Sequence, residues 1–269
     1  TMAYDTPNRL VSSITTATGT GTLSTTINFA YDARDNLISV DGPRAGTADT
    51  TYHFYDDEDR QVGSIAPFRY SSGSQYRPAG KRVFDSEGRV DYTLSGYAIG
   101  NNLTALNSMV ALTRTDYTYD SNGNLTRSRT SASGVDQQIV DYSYDDQNRI
   151  ECVALRMDST AWSSLPSSAC TQSTSPGTDR ITRYYYDGDD RVVRIDRGVG
   201  TPGAVIEYQT TYSPNGRTKT ETDANGNQTE YAYDGHDRLA YSYYPNRTTG
   251  LPNTGDFEKY EYDPVGNLR

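Results

Sequence analysis

The sequence predicts an all-β fold: tandem β-hairpins that follow one another into a large spiralling, curved sheet, interrupted by short helical inserts. Three observations predict it. A turn signature returns along the whole chain, period-two alternation flanks its copies, and 24 tyrosines carry an aromatic load shared with only five phenylalanines and one tryptophan. Units recurring every 20 to 50 residues or so each leave an apolar face that only the next unit can cover. Residues 1–269 therefore read as a single repeat region rather than as separate globular domains.

The signature is plain in "YDSNGNL", Tyr119 to Leu125, and in "YDARDNL", "FDSEGRV", "YDDQNRI", "YDGDDRV" and "YDGHDRL". Its aromatic position holds Tyr4, Tyr31, Tyr55, Phe84, Tyr119, Tyr144, Tyr186, Tyr212, Tyr233 and Tyr262, with Thr222 in one degenerate copy, about eleven units in all. The next position holds Asp5, Asp32, Asp56, Asp85, Asp120, Asp145, Asp187, Asp223, Asp234 and Asp263, with Ser213 as the one substitute. Three residues further stand Asn8, Asp35, Asp59, Gly88, Gly123, Asn148, Asp190, Gly216, Gly226, Asp237 and Gly266. Only Gly, Asn and Asp occur there, and these residues tolerate a positive φ. Asp opening a type I turn and a left-handed residue closing it is the chemistry of a hairpin with a G1 bulge. Pro7 fits least, because type I geometry disfavours proline at the third turn position.

Strands are expected on both sides of each turn. Stretches such as "TDYTYD" and "TEYAYD" alternate aromatic with small or polar residues, and Leu10, Leu37, Val90, Leu125, Ile150, Val192, Leu239 and Leu268 follow the turns. The residue before that apolar position is always Arg or Asn, as in Arg9, Asn36, Arg149 and Arg238. Such side chains read as donors to neighbouring turn carboxylates or backbone carbonyls. The tyrosines are expected to ladder along the sheet, with stacking on sugars as the weaker reading.

Two intervals between aromatic anchors, 35 and 42 residues, are long enough to hold inserts, placed at 97–115 and 152–179. In the first, Leu103, Leu106 and Val110 fall at helical spacing behind an asparagine that can cap them. In the second, Pro166 stops a helical turn expected after Asp158, and Cys152 and Cys170 bracket the segment. Spacing alone leaves those cysteines either disulfide-bonded or reduced, and a metal site is the weakest reading because no histidine lies near. Both inserts are expected to project from the wall rather than fill a core.

A net charge of −10 and a pI of about 4.7 oppose nucleic acid and anionic lipid as partners. No apolar run approaches the ~18 residues that would insert into a membrane. Eleven hairpins supply about 22 strands, and at ~4.8 Å each a flat sheet would be on the order of 100 Å wide. Sheets of that size curl, split or flatten. An apolar content of 34% argues against a thick oily sandwich, so curling into a wall around wet space is the expectation. The sequence stops just after a turn, which suggests a fragment of a longer chain.

Tandem Y-x-Y-D-x-x-G-R/N-L units resemble the YD repeats of the RHS family, which includes bacterial Rhs proteins, insecticidal toxin-complex C components and teneurins. The resemblance runs from Tyr4 to Arg269, and "ECVALRMDSTAWSSLPSSAC" also resembles an insert of bacterial Rhs proteins. It implies a hollow shell of β-hairpins, often enclosing a C-terminal toxin, and a self-cleaving aspartate module at the shell's end. "YDPVGNL" around Asp263 is only another turn, so no protease residue carries over.

Catalytic candidates are scarce. His53 lies in a strand and His236 in a turn, so neither is placed for a triad. The acidic runs at Asp56–Asp59 and Asp187–Asp190 lack EF-hand spacing and coincide with turns. The expectation is a non-enzymatic scaffold with no cofactor or metal, secreted or at the cell surface. Its partners would be the rest of the same polypeptide, including a cargo. An adhesive fibre of the same repeats and a carbohydrate-binding or carbohydrate-active protein are the alternatives.

Overall fold

Within each unit, strands pair for the most part with their neighbours in sequence, so the architecture is read along the chain. The structure is a computed structural model and describes residues 2–18, 22–71, 74–175 and 177–269. It contains two compact units, one formed by residues 1–118 and 128–137 and the other by residues 119–127 and 138–269.

The first unit opens with β1 (Met2–Tyr4), β2 (Leu10–Thr18), β3 (Thr22–Tyr31), β4 (Leu37–Asp41), β5 (Thr51–Tyr55) and β6 (Gln61–Ile65). It continues with β7 (Arg69–Ser71), β8 (Ser74–Phe84), β9 (Val90–Ala98), helix α1 (Leu103–Asn107) and β10 (Val110–Tyr119). Every ladder is antiparallel between successive strands, except that β6 pairs with β8 and the short β7 folds onto the start of β8. Strands β11 (Leu125–Ala132) and β12 (Val135–Tyr144) contribute to both units.

The second unit continues with β13 (Ile150–Arg156), β14 (Arg180–Tyr186), β15 (Val192–Arg197), β16 (Val205–Tyr212), β17 (Thr218–Asp223), β18 (Gln228–Tyr233), β19 (Leu239–Pro245) and β20 (Pro252–Lys259). From β12 onward each strand pairs antiparallel with the next. Tandem hairpins and an all-β fold are thus what the turn signature predicted. The sheet face is thinly apolar, because alternation sends half of every strand to each side.

The inserts depart from expectation. Helix α1 is a single turn capped by Asn102, whose side chain accepts from the Ala105 N–H, and Val110 belongs to β10 instead of the helix. Bulged pairing between β9 and β10 claims Val110 against Tyr97, so strand pairing overrides the i+7 spacing. Nor do the inserts stand clear of the sheet. Leu106 of α1 is fully buried with Ile65, Ala79, Ala98 and Ala105, and Ala169 of the second insert is buried with Cys152, Ala154 and Ile181. Laying the inserts on the sheet removes apolar side chains of both from water, which is why they lie down on it.

Gly63 makes the first of these contacts fit. A Cβ there would stand 2.5 Å from the Gly80 carbonyl oxygen and 2.8 Å from Leu106 Cδ2. Near the second insert, Asp158 caps a short 3-10 turn at Ser159–Ala161. No helix among the described residues is long and apolar enough to cross a membrane.

Candidate functional site

The recurring feature is the junction where one turn meets the next. All eleven turns close with the same two backbone bonds: at Asp145, the Asn148 N–H donates to the Asp145 carbonyl (3.0 Å) and the Asp145 N–H to that of Arg149 (2.9 Å). The residues in the fourth turn position, from Asn8 to Gly266, all stand at positive φ, between 59° and 93°. Asp145 Oδ1 then accepts from the N–H groups of Gln147 (3.0 Å) and Arg149 (2.9 Å), and Oδ2 from Arg149 Nε (2.8 Å). The pattern recurs at Asp32, Asp120, Asp187 and Asp234. Pro7 has no N–H, so Asp5 Oδ1 accepts only from Arg9 there, yet the backbone bonds still close.

These carboxyls all lie below the ordinary range. At Asp145 burial works to raise the pKa and is outweighed by the Arg149 guanidinium and the turn N–H groups. At Asp234 the Arg238 side chain leads, and the pKa falls to about 2. Each aspartate is therefore ionised and engaged by its own turn.

Turns also reach across to one another. Arg9 Nη1 donates to Asp35 Oδ1 (2.5 Å), Asn36 Nδ2 to Asp59 Oδ1 (2.7 Å), Asn124 Nδ2 to Asn148 Oδ1 (2.9 Å) and Arg149 Nη1 to Asp190 Oδ1 (2.7 Å). Asp237 accepts likewise from Asn215 (2.9 Å). At two of the glycine turns the contact changes form: a Cβ at Gly88 or Gly216 would lie 3.2 Å from Nη1 of Arg60 or Arg191 in the preceding turn. Gly, Asn and Asp thus share a backbone conformation; Asn and Asp can add an acceptor for the previous turn, as at Asp35 and Asn148, whereas at Gly123, Gly226 and Gly266 a Cβ would meet nothing within 4 Å.

The tyrosine completes the junction. Between hairpins the ladders stop short of the turn; β13 and β14, for example, pair no nearer to it than Cys152 with Arg183. The carbonyl left open takes a phenol: Tyr186 donates to Ile150 (2.8 Å), Tyr31 to Leu10 (3.1 Å), Tyr144 to Leu125 (2.9 Å) and Tyr233 to Thr218 (2.7 Å). Tyr55, Tyr212 and Tyr262 do the same for Leu37, Val192 and Leu239. The preceding turn's arginine lies over the ring, with Arg149 4.5 Å from the centre of Tyr186, Arg9 4.7 Å from Tyr31 and Arg60 4.5 Å from Phe84. Tyr119 also has a partner. An aromatic that is both hydrogen-bond donor and cation platform explains the preference for tyrosine over phenylalanine.

The second insert is held by buried ions. Cys152 and Cys170 form a disulfide with Cα atoms 5.3 Å apart. Arg156, fully buried, donates from Nε to Asp141 (2.7 Å) and from Nη1 to Asp179 (2.9 Å) and the Thr171 carbonyl (2.7 Å). Burial works to raise the Asp179 pKa, but the Met157 N–H, Arg156 and Ser173 outweigh it and hold the carboxyl below its ordinary value. Single-sequence reading missed Arg156, Asp141 and Asp179 because nothing in "ECVALR" distinguishes a buried arginine from an exposed one.

His53 accepts or donates at Nδ1 with Gln61 (3.0 Å), its pKa lowered by burial, and His236 gives its backbone N–H to Asp234. No group of three metal-ligating side chains occurs among the described residues.

Antiparallel hairpins locked turn to turn define a β-hairpin repeat protein. Residues 1–160, more than half of the chain, match the family described as Teneurin YD-shell, and residues 212–249 match RHS Repeat. The chain belongs to the teneurin YD-shell family. Among solved structures, those titled TcdB2-TccC3-Cdc42 and TcdB2-TccC3 are similar at 14% identity, covering 99% of this chain and 15% of theirs, with TM-scores of 0.42 and 0.45. The chain thus spans about 15% of the length of those neighbours. No curated protein matches it.

Proposed function

We propose that the chain is a non-enzymatic segment of an RHS/YD-repeat shell that encloses a toxin or effector domain of the same polypeptide, in a secreted or surface-exposed bacterial protein. The observation that carries this reading is the repeated junction: hairpin after hairpin is tied to the previous one by an arginine or asparagine bond, by a tyrosine-to-carbonyl bond, or by both, as between Arg149 and Asp190 and between Tyr186 and Ile150. Such ties suit a wall that extends in one direction without a thick core. Membership of a YD-shell family supports the same role. The turn aspartates are engaged in closing their own turns, each carboxylate accepting from the backbone and the side chain that follow it, as at Asp145.

Limited proteolysis of the full-length polypeptide tests it. The cargo should survive protease concentrations that destroy it once the wall is unfolded in denaturant. Cleavage of cargo at the same rate in both states would defeat the proposal, and open polymers on imaging would favour a fibre.

A further inference from the structure

We propose that the first unit carries a seat for a small hydroxylated carboxylate, built around Arg77. This residue lies in β8 and is only 8% exposed. Arg156, the other deeply buried arginine, is neutralised by two aspartates. Among the described residues no carboxylate pairs with Arg77. Its guanidinium donates instead from Nη1 to the carbonyls of Thr50 (3.4 Å) and Ala66 (3.3 Å), and from Nη2 to that of Thr47 (3.1 Å). It also lies against the rings of Tyr52 (5.7 Å) and Phe68 (5.3 Å), so this buried cation is held by carbonyl dipoles and ring faces with no full counter-charge.

A guanidinium has five N–H groups. Three go to these carbonyls, leaving Nε–H and one Nη2–H for an oxyanion. Arg77 also lines an open cavity of about 330 Å³ with Thr47, Phe68, Gln75, Tyr76 and Asn101. That volume is at the small end of ligand sites. The other polar side chains of the lining, Thr47, Gln75, Tyr76 and Asn101, are uncharged hydroxyls and amides that match alcohol groups. Phe68, which also lines the cavity, supplies apolar surface for C–H groups. A carboxylate on a short polyol chain uses all of these at once. Clamping the 42–50 loop requires only the carbonyl bonds and needs neither the spare N–H pair nor the cavity.

Isothermal titration of the 269-residue chain with gluconate and with sorbitol, its uncharged counterpart, tests the seat at low ionic strength, where screening is weak. Gluconate should saturate with a Kd on the order of 1 mM, at least about tenfold tighter than sorbitol. Arg77→Met should abolish gluconate binding. Because that variant can fail to fold, Ile99→Glu is the second arm: Ile99 lines the cavity and is 81% exposed, so the change puts a carboxylate at the rim without disturbing packing. It should weaken gluconate about fivefold or more by repulsion and leave the circular dichroism spectrum unchanged. Equal binding of gluconate and sorbitol, no saturation of the wild type by about 50 mM gluconate, or unaltered binding in Ile99→Glu would overturn the proposal.

Discussion

Single atoms decide whether a repeat closes and whether it joins its neighbour. Gly123 stands at φ 86° with nothing within 4 Å of where a Cβ would point, so a side chain there meets backbone strain alone. A bulky L-residue in that conformation costs about 1–2 kcal/mol. Gly123→Val should therefore lower stability in urea titration by about that much more than Ser121→Val, and equal effects would refute the left-handed turn. The tyrosine hydroxyl is separable from its ring. Tyr186→Phe keeps the Arg149 platform but strands the Ile150 carbonyl, and should cost about 1 kcal/mol in the same titration. Phe84, which keeps the ring and the arginine contact, shows that the hydroxyl can be given up at one junction.

The elements differ in how far the sequence announces them. Hairpins were legible because period-two flanks and a left-handed residue are local, and eleven copies average away exceptions such as Pro7. The fit of α1 on the sheet was not, since it depends on Gly63, 43 residues away in sequence and against Leu106 in space. Leu106→Ala should cost about 2–5 kcal/mol. Gly63→Ala, which pushes the helix off the face, should cost about 1–3 kcal/mol. The buried ions of the second insert were equally hidden, because their partners come from β12, β13 and the segment before β14. Asp179→Ala leaves Arg156 half-compensated and should cost about 3–5 kcal/mol. Reducing the Cys152–Cys170 bond releases about 3 kcal/mol of loop-closure stabilisation in the chain-entropy model. Hydrogen exchange should show both changes loosening the insert before the hairpins of β15–β19.

Across the whole molecule the turns titrate together. All ten turn aspartates have pKa values lowered by folding. Protons bind the unfolded chain more tightly, so the stability these groups add is complete above the unfolded value of about 4 and is lost as pH falls through their lowered folded values, about 2 at Asp234. The junction phenols of Tyr55, Tyr144, Tyr186 and Tyr233 are shifted up, chiefly by burial. Their contribution is complete below about pH 10 and is lost above it. The Tm should be flat between about pH 5 and 9 and fall on both sides, whereas a maximum at the pI of about 4.7 would point to net-charge repulsion instead.

The central claim is that these locked hairpins are the wall of a container. Electron cryomicroscopy of the full-length polypeptide tests it most directly. The result expected is a hollow particle whose wall shows successive hairpins joined at the tyrosine-to-carbonyl contacts, with a separate domain inside. An open filament, or a solid body with no interior space and the second domain exposed to solvent, would contradict it.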